Sequence, residues 1–424
     1  MEDKILENIA VRYGTPLYVY DTDKIISQYG ILRDSLPEEF GILYSMKANP
    51  LLGMCQLFRK LGSGIEVASS GELYTALAAG FAPDSIVFTS PGKNCEELEY
   101  AIETGICSIN VESVEEAALI DELAGQKGRK VNISIRINPD FDVAGSNIKM
   151  TGVPTQFGID RIETEAALEF IGSLSNIKIV GIHIYTGTQA LNAHNIILSM
   201  EQIIKLSLEL SENCSLELKF LNLGGGFGVP YFKDDSSLDM DAFKNDFSLM
   251  WEGYREKLSG TKVFVESGRF LMAEAGTYLT RILYKKECKG RRYLVCDGGS
   301  NQHASSAFLG RYIRNNFPMH ILNKTQNEEQ VNVAGPLCTP TDIIGQNVLL
   351  PEAVPGDILA IDKSGAYGST QSPGLFLSHP LAAEVQYCKG KTYILRERWG
   401  REDFIKGQKE LDEFFNTYGW EIYG

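Results

Sequence analysis

The feature that most constrains the fold of this chain is an alternation of short apolar segments with helical patterns over residues 41–266. Parallel strands need long crossover connections, and helices usually supply them. The alternation therefore predicts a (β/α)8 barrel, a fold that typically takes roughly 250 residues. The predicted strands are residues 41–45, 64–68, 85–89, 107–111, 131–137, 177–184, 217–223 and 262–266.

The sequence after about residue 275 has a different pattern. Strand-like runs are separated there by Gly, Pro and Asn, and only residues 402–416 have a helical pattern. We therefore predict an antiparallel β domain, a sandwich or barrel, formed by residues 1–22 and 275–424, beside a barrel domain of residues 23–274. The predicted strands of this β domain are residues 278–284, 292–296, 331–333, 347–350, 357–361 and 384–387.

The composition argues against several classes of function. The formal net charge of −15 disfavours nucleic acid and anionic membranes as partners. No apolar run is long enough to cross a bilayer, and the N-terminus lacks the layout of a signal peptide. The eight cysteines form no C-x-x-C pair, which disfavours disulfides and zinc and is typical of a reducing cytoplasm. The sequence therefore predicts a cytoplasmic enzyme without a metal ion.

One lysine stands at the end of the first predicted barrel strand. Lys47 follows the apolar run 41–45, and Asn49-Pro50 disfavours continuation as a helix. A lysine removed from water has a lowered pKa and can act as an amine nucleophile, as Schiff-base enzymes require. The alternative, which this segment alone favours, is a lysine whose ammonium group extends from the strand end into solvent.

Four glycines lie in residues 224–228, directly after another predicted strand. Backbone N–H groups in such a loop can converge on an anion, so the loop is typical of a phosphate site. A dinucleotide-binding turn would need a helix to begin at once, and Pro230 and Tyr231 interrupt it. A purely structural turn remains the alternative, although four glycines make it less attractive.

An acid and an arginine follow the last predicted barrel strand. Glu266 and Arg269 could form a surface ion pair of small energetic value. The carboxyl ends of barrel strands form the active-site face, however, and a carboxylate there could keep a pyridine nitrogen protonated. In turns of the β domain, Cys338 could be an inert buried thiol, whereas Tyr367 is better suited to contact a ligand.

Together these motifs resemble the fold-type III pyridoxal phosphate decarboxylases, the family of diaminopimelate and ornithine decarboxylases. The resemblance runs from about residue 14 to residue 385. It implies an alanine-racemase-like barrel, a pyridoxal 5'-phosphate cofactor and a homodimer with shared active sites. Among the matching runs are Tyr44-Ser-Met-Lys-Ala-Asn, Gly64-Ile-Glu-Val-Ala-Ser-Ser-Gly-Glu72, Asn222 to Tyr231 and Gly365-Ala-Tyr-Gly.

The resemblance also implies roles for individual residues. Lys47 would hold the cofactor covalently, and Glu266 would pair with its pyridine nitrogen. Cys338 from the second subunit would return a proton after CO2 leaves. Tyr185 would stack on the cofactor ring, with His183 as a neighbour on the same face. Lys47, Cys338 and Tyr185 are thus the predicted catalytic residues, and the remaining predicted cofactor contacts are Glu66, Arg136, Thr188, Gly225, Gly226, Phe227, Gly268, Arg269 and Tyr367.

Several departures from the family concern the far end of the substrate. Diaminopimelate decarboxylases carry a glutamate, an arginine and a tyrosine where this chain has Thr339, Ser305 and Leu309. The charged groups that would bind the distal amine and carboxylate of diaminopimelate are therefore missing. The predicted substrate residues are Cys338, Thr339, Asp342 and Ser305.

A smaller set of runs resembles one branch of the family. Residues 148–158 and Tyr185-Thr-Gly-Thr-Gln are similar to the L-glutamyl-[acyl-carrier protein] decarboxylase type of antibiotic biosynthesis. A glutamate tethered through its side-chain carboxyl has no distal charge, so the missing residues suit it. We therefore predict pyridoxal-dependent decarboxylation of an L-amino acid, with carrier-linked L-glutamate as the favoured substrate. The alternatives are decarboxylation of a free amino acid, such as diaminopimelate, ornithine or lysine, and, less favoured, racemisation.

A basic run lies in the β domain. Residues 281–292 contain six basic residues and one acid. The pattern predicts a β-hairpin that turns near Lys289-Gly290, where lysines commonly protect an edge strand. The alternative is a surface that steers an acidic carrier protein towards the enzyme.

Overall fold

A computed structural model describes residues 1–141, 148–149, 154–307, 315–412 and 416 of the chain. The strands, numbered in chain order, are β1 (Leu17–Asp21), β2 (Phe40–Ser45), β3 (Gly64–Val67), β4 (Ile86–Thr89), β5 (Ser108–Val111), β6 (Val131–Asn138), β7 (Ile148–Lys149), β8 (Ile159–Asp160), β9 (Ile177–His183), β10 (Gly187–Thr188), β11 (Phe220–Asn222), β12 (Lys262–Ser267), β13 (Gly276–Cys288), β14 (Arg291–Cys296), β15 (Met319–Ile321), β16 (Glu328–Ala334), β17 (Ile343–Pro351), β18 (Ile358–Ile361), β19 (Ala383–Cys388) and β20 (Lys391–Arg396). The helices are α1 (Asp3–Tyr13), α2 (Thr22–Asp34), α3 (Leu52–Lys60), α4 (Ser70–Ala78), α5 (Cys95–Thr104), α6 (Val114–Gln126), α7 (Thr164–Gly172), α8 (Ala193–Asn213), α9 (Met240–Glu252) and α10 (Arg269–Met272).

Eight parallel strands close into a barrel, as predicted. Their order is β2, β3, β4, β5, β6, β9, β11 and β12, and β12 pairs back with β2. Each strand overlaps one of the eight predicted segments, because each is a short apolar run that is buried between the barrel interior and the helices. All carboxyl ends of these strands therefore meet at one face.

Local signals in the sequence determine where the barrel helices begin and end. Asn94 and Glu97 form a reciprocal capping box at the start of α5, and Gly105 ends that helix in the left-handed conformation. The side chain of Ser69 caps α4 in the same way, by accepting the N–H of Glu72. On the longest helix, α8, one face is buried through Ile196, Met200 and Ile203, among others, so it covers the barrel with an apolar stripe.

A second sheet of nine strands forms the β domain. Its main order is β17, β16, β14, β13, β1, β19 and β20, with β18 beside β13 and β15 beside β18. Most pairings are antiparallel, as predicted, but β1 is parallel to β19 and β14 is parallel to β16. The N-terminal strand β1 lies between β13 and β19, so the two ends of the chain build this sheet together.

The predicted helix over residues 402–416 is interrupted. Glu402–Ile405 form a short 3-10 helix, residues 406–411 are not helical, and residues 412 and 416 are helical, while residues 413–415 lie outside the described part of the chain. The prediction also overlooked α1, which packs against the sheet, and the strands β15 and β20. Across the described part of the chain, no helix has both the length and the apolar character that a bilayer crossing requires.

Candidate active site

Lys47 lies at the carboxyl end of β2, in a single 3-10 turn formed by Met46–Ala48. Met46 and Ala48 are buried, whereas 43% of the Lys47 side chain is exposed. Its Nζ atom lies 3.3 Å from Oε1 of Glu66 and 5.7 Å from the centre of the Tyr185 ring. Three residues that the sequence predicts as cofactor contacts therefore meet at the barrel face.

Most of the predicted cofactor residues surround one cavity next to this lysine. They come from the ends of β2 and β12, from the glycine loop after β11, from the segment around β10 and from a turn of the β domain. The lining residues are Ser45, Lys47, Tyr185, Thr188, Gly226, Phe227, Glu266, Ser267, Gly268, Arg269 and Tyr367.

The charge on Lys47 is stabilised rather than suppressed. Removal from water disfavours its ammonium form, but the negative charge of Glu66, followed by that of Tyr367 and Glu266, outweighs this effect and raises the pKa of Lys47. The expectation that desolvation lowers this pKa is therefore wrong for the protein as described. The lysine must lose a proton before it can act as a nucleophile.

Glu66 is buried and only partly satisfied. Its Oε1 atom accepts a hydrogen bond from Lys47, whereas its Oε2 atom has no hydrogen-bond partner among the described residues. Burial and the nearby carboxylate of Glu266 raise the pKa of Glu66. An unpaired buried carboxylate oxygen is costly, so this atom is available to a ligand.

Glu266 has the opposite electrostatic character. Burial disfavours its ionised form, but His183, Lys47 and Asn222 together lower the pKa of Glu266 to about 2. Nδ2 of Asn222 donates a 2.7 Å hydrogen bond to Oε1 of Glu266, and Nε2 of His183 lies 3.3 Å from the same oxygen. A carboxylate that stays ionised is what a protonated pyridine nitrogen needs as its partner.

Sequence reasoning missed Asn222 as a residue of this site. Its one signal is a polar residue at the end of an apolar strand, where it pairs in register with His183 of β9. Its side chain also accepts the N–H of Gly224 at 2.9 Å. Asn222 therefore connects the glycine loop to the carboxylate.

The glycine loop is pressed against the neighbouring backbone. A Cβ atom on Gly225 would lie 2.1 Å from the carbonyl oxygen of Glu266, and one on Gly226 would lie 2.9 Å from that of Gly187. Gly226 also has a φ of +100°, which side chains rarely adopt. Only glycine can bring the backbone this close, which fits a loop that receives an anion.

Arg269 begins α10, directly after the last barrel strand. Its guanidinium lies 4.6 Å from the ring centre of Tyr367, and its Nη1 donates a 3.2 Å hydrogen bond to the hydroxyl of Tyr231. Its buried Nε has no hydrogen-bond partner in the part of the chain that the structure describes. The described contacts include no ion pair with Glu266, so the surface-pair alternative is wrong and a donor remains for an anion.

Tyr367 connects the β domain to the lysine turn. It has a left-handed φ of +58°, and its N–H donates a 2.9 Å hydrogen bond to the carbonyl of Ala48. Nδ2 of Asn49 donates to the carbonyl of Gly365 at 3.3 Å. Tyr367 lines the cavity, and hydrogen bonds between its turn and residues 48–49 hold it there.

Arg136 is outside this cavity. Its Nη1 lies 2.8 Å from Oε1 of Glu112, both side chains are buried, and its guanidinium lies 4.7 Å from the ring centre of Phe157. The other oxygen of Glu112 accepts the N–H of Gly158 at 3.0 Å. The pair holds residues 157–158 against β6, and a direct contact of Arg136 with the cofactor stays a prediction.

The predicted substrate residues of the β domain do not line the cavity of the described chain. Cys338 is exposed, not buried. Asp342 is 2% exposed and accepts the N–H groups of Ser300 at 2.7 Å and Leu337 at 2.8 Å. Asp342 therefore closes the turn that carries Cys338 and Thr339, and its predicted contact with substrate has no support in these contacts.

Two positions remain: the predicted substrate residue Ser305 and Leu309, which was named only as a departure from the family. Ser305 donates a 3.4 Å hydrogen bond to the carbonyl of Tyr367, so it lies next to a residue of the cavity. Leu309 lies outside the described residues.

The cavity fits pyridoxal phosphate on its own chemistry. Lys47 supplies a primary amine, Glu266 an ionised carboxylate, and the loop around Gly225 and Gly226 a close-packed backbone next to Arg269. The unpaired Nε of Arg269 and the unpaired Oε2 of Glu66 are buried polar atoms that a polar ligand would satisfy.

Comparison with known proteins gives the same assignment. Residues 22–273 match the family model described as pyridoxal-dependent decarboxylase, pyridoxal binding domain. The chain is 40% identical to the L-glutamyl-[BtrI acyl-carrier protein] decarboxylase of Niallia circulans, over 95% of each chain. It is 31% identical to the diaminopimelate decarboxylase of Aquifex aeolicus, over 94% of this chain and 92% of that one.

Solved structures agree with the fold. The diaminopimelate decarboxylase of M. jannaschii in complex with L-lysine superposes with a TM-score of 0.88 at 29% identity, covering 96% of this chain and 94% of that one. The matching family, its cofactor site and the geometry around Lys47 lead to one conclusion: this chain belongs to the pyridoxal-dependent decarboxylases, barrel enzymes that use pyridoxal phosphate.

Proposed function

We propose that this enzyme removes the α-carboxyl group of an L-glutamate whose side-chain carboxyl is linked to an acyl-carrier protein. The observation that carries the proposal is a cavity lined by Lys47, Glu266 and Arg269 with the uncharged Ser305 next to Tyr367 of its lining. The second position expected to bind the far end of the substrate, Thr339, is also uncharged. A site that held charged groups there would leave them unpaired against a tethered glutamate. The 40% identity to a relative whose name states this activity supports the choice of substrate.

The residues of the cavity have distinct proposed roles. Lys47 would hold pyridoxal phosphate covalently, Glu266 would accept a hydrogen bond from its ring nitrogen, and the glycine loop with Arg269 would hold its phosphate. Bound pyridoxal phosphate supplies an electron sink for the electron pair that remains when CO2 leaves.

Two residues next to Lys47, Glu66 and Tyr185, act on this arrangement. Oε1 of Glu66 holds the Lys47 ammonium at the barrel face. Tyr185, whose ring lies beside Nζ of Lys47, would cover one face of the cofactor. The Glu66 carboxylate and the Tyr185 ring would thus fix the orientation of the lysine and the cofactor.

We further propose a homodimer in which Cys338 of a second copy completes the site and returns a proton to Cα of the product. Cys338 is exposed and absent from the lining of the cavity in the described chain. Its turn is held in shape by Asp342, which would keep the thiol in a fixed position at the surface of the β domain. A residue with these features is suited to act in trans.

The substrate is tested by measuring CO2 release from a panel of amino acids. Carrier-linked L-glutamate should release CO2, and free L-glutamate, diaminopimelate, L-ornithine and L-lysine should release little. CO2 from a free amino acid alone would mean that the carrier is not part of the substrate. Loss of optical rotation without CO2 would identify a racemase and reject the proposal.

The role of Lys47 is tested separately. Borohydride reduction of the cofactor-loaded enzyme followed by peptide mapping should find the label on Lys47. A label on any other lysine, or an enzyme that shows no absorbance of a bound cofactor, would contradict it.

A further inference from the structure

A buried polar network lies inside the barrel, behind His183. Nδ2 of Asn110 lies 2.6 Å from Oγ1 of Thr89 and 3.0 Å from Nδ1 of His183. Oδ1 of Asn110 accepts a hydrogen bond from Ser134, whose hydroxyl also lies 2.9 Å from that of Ser108. All five residues are buried, so each bond forms in a medium where an unmade bond is costly.

In the structure the Asn110 amide points its oxygen and its nitrogen towards opposite sides of this network. Its oxygen faces the hydroxyl of Ser134, and its nitrogen therefore faces Thr89 and His183. An amide nitrogen carries two hydrogens and no lone pair for a hydrogen bond, so it donates to both partners. Nδ1 of His183 must then be the acceptor. A neutral imidazole with an accepting Nδ1 carries its proton on Nε2.

The strand end that carries Asn110 is also held firmly. Its carbonyl accepts a 2.9 Å hydrogen bond from Nζ of Lys93, a lysine whose side chain is fully buried. Lys93 in turn lies 2.8 Å from the carboxylate of Glu116 on α6. These contacts give Asn110 a fixed backbone from which its side chain can orient His183.

The other nitrogen of His183 faces the site. Nε2 lies 3.3 Å from Oε1 of Glu266 without the alignment of a hydrogen bond, and it has no hydrogen-bond partner among the described residues. Asn222 donates to the same Oε1. Both groups thus approach one oxygen of Glu266, and the described hydrogen bonds include none to its Oε2.

We propose that Asn110 is a positioning residue: it fixes His183 as the neutral tautomer with the proton on Nε2, which directs an uncharged donor at Oε1 of Glu266. With a neutral His183, hydrogen bonding by His183 and Asn222 and the charge of Lys47 still favour the ionised form of Glu266, and the charge of the carboxylate is not cancelled. An imidazolium would form an ion pair with Glu266 and compete with a protonated ring nitrogen for it. The tautomer assignment is independent of the proposed function, whereas its catalytic consequence rests on the proposed role of Glu266.

The tautomer can be measured directly. The chain has only five histidines, so selective ¹⁵N-histidine labelling gives few signals, and a His183→Gln variant assigns the one of interest. NMR of the cofactor-loaded and the cofactor-free enzyme should show Nδ1 unprotonated and Nε2 protonated. A proton on Nδ1, in a neutral ring or an imidazolium, would overturn the proposal without any measurement of activity.

A near-isosteric variant tests the cause. In Asn110→Asp the side chain can only accept, so His183 should gain a proton on Nδ1. Ser199→Ala is the matched control, because it removes a 2.8 Å bond between buried hydroxyls, to Thr186, without contact to Asn110 or His183. The control should keep the wild-type tautomer. An unchanged tautomer in Asn110→Asp would reject the role of Asn110. If that variant does not fold, the tautomer of His183 measured in the wild-type enzyme decides whether the proposal stands.

Kinetics separate positioning from simple loss of stability. Asn110→Asp should lower kcat by about 10 to 100-fold, the usual effect of losing an orienting partner, with KM within about twofold. A changed tautomer with unchanged kcat would support the role of Asn110 in fixing the tautomer. It would refute only the proposed effect of that tautomer on catalysis through Glu266. An equal loss in both variants without a change of tautomer would mean that the network serves stability alone.

Discussion

At the scale of single residues, two carboxylates lie near one lysine, and their pKa values are shifted in opposite directions. Glu66 has few hydrogen bonds, and burial raises its pKa, whereas Glu266 has Asn222 and His183 beside it, and its pKa is lowered to about 2. The difference arises from the neighbouring groups, because both side chains are equally buried: the charge of Glu266 opposes ionisation of Glu66, whereas His183 and Asn222 favour ionisation of Glu266. One carboxylate is thus suited to hold a lysine, and the other to remain charged.

Removal of the Glu66 charge should make Lys47 more reactive towards the cofactor. Glu66 raises the pKa of Lys47, so Glu66→Gln should lower it and increase the fraction of neutral amine at pH 7. The pH profile for attachment of pyridoxal phosphate to the cofactor-free enzyme should shift to lower pH, and stopped-flow absorbance measures it. Glu274→Gln, which removes only the surface pair with Lys24, serves as control. An unshifted profile would mean that other neighbours of Lys47, Tyr367 and Glu266 first among them, raise its pKa instead.

Neutralising Glu266 should damage catalysis without releasing the cofactor. Glu266→Gln keeps the shape and the hydrogen bond from Asn222 but loses the charge, so kcat should fall by about 10² to 10³-fold, the usual effect of losing a preorganised electrostatic partner. Absorbance of the bound cofactor and steady-state kinetics check both parts. Wild-type kcat in this variant would show that the ring nitrogen needs no carboxylate.

The sequence predicted the motifs of this site better than its supporting contacts. Lys47, Glu266 and the glycine loop stand out because each breaks the pattern of an apolar strand or an ordinary turn. Asn110 and Asn222 are single polar residues at strand ends, and only the closed barrel brings them to their partners. The raised pKa of Lys47 was missed because it depends on Glu66, which is distant in sequence and 3.3 Å away in space.

At the scale of helices and strands, one helix start carries a pH-sensitive group. Glu72 of α4 accepts the N–H of Ala68, yet burial raises the pKa of Glu72 to about 7. The pKa of Glu72 is higher in the folded chain than its ordinary value, so protonation of Glu72 stabilises the folded state. This stabilisation is fully present below about pH 4.5 and is lost as the pH rises through 7. Neutral and basic pH should therefore destabilise this part of the barrel.

Glu72→Gln should remove that dependence. The amide oxygen can still accept the N–H of Ala68 but carries no charge to bury. The variant should be more stable than wild type at pH 8, on the order of 2 kcal/mol because one pKa unit corresponds to about 1.4 kcal/mol, and not at pH 5. Thermal unfolding at both pH values measures the difference. Equal gains at pH 5 and pH 8 would point to a cause other than titration.

The basic hairpin of β13 and β14 splits into two groups. Lys285 and Arg292 lie 2.6 Å and 3.0 Å from the carboxylate of Glu329, so they help to hold β16. Lys286 and Arg291 on the strands, together with Lys289 in the turn between them, are exposed, and the described ion pairs do not include them. Only the second group remains as a candidate surface for an acidic carrier.

Reversing the two strand residues of the second group tests carrier docking. Lys286→Glu with Arg291→Glu should slow turnover of carrier-linked glutamate and weaken its salt dependence, while turnover of a small glutamate thioester stays unchanged. Lys285→Glu is the contrasting variant, and it should lower the melting temperature because it leaves two acids facing each other. Equal loss on both substrates in the double variant would mean that the hairpin serves only the sheet.

At the scale of the whole molecule, the order of elements was predictable and the pairing of distant ones was not. The barrel strands follow each other in sequence, so their periodic pattern was enough to predict them. The β domain places β1 between β13 and β19, and this pairing joins segments more than 250 residues apart. No local pattern encodes it, because the register follows from packing of the complete sheet.

The proposed dimer predicts that two inactive chains restore activity together. When Lys47→Ala and Cys338→Ala chains exchange freely at equal amounts, half of the dimers are hybrids with one intact site. The mixture should then reach about a quarter of the wild-type activity, measured as CO2 release after subunit exchange is verified. No recovery would mean that each site is built within one chain.

The hydrogen bond from Tyr367 to Ala48 has a consequence for synthesis of the protein. All eight barrel strands are made before residue 276, but the turn that carries Tyr367 comes from the β domain, made later. A chain that is still incomplete, or one that is truncated after the barrel, lacks part of the cavity wall and should retain pyridoxal phosphate poorly. Only full-length chains would then hold the cofactor firmly. When pyridoxal phosphate is scarce, it would collect on the chains that have a complete cavity.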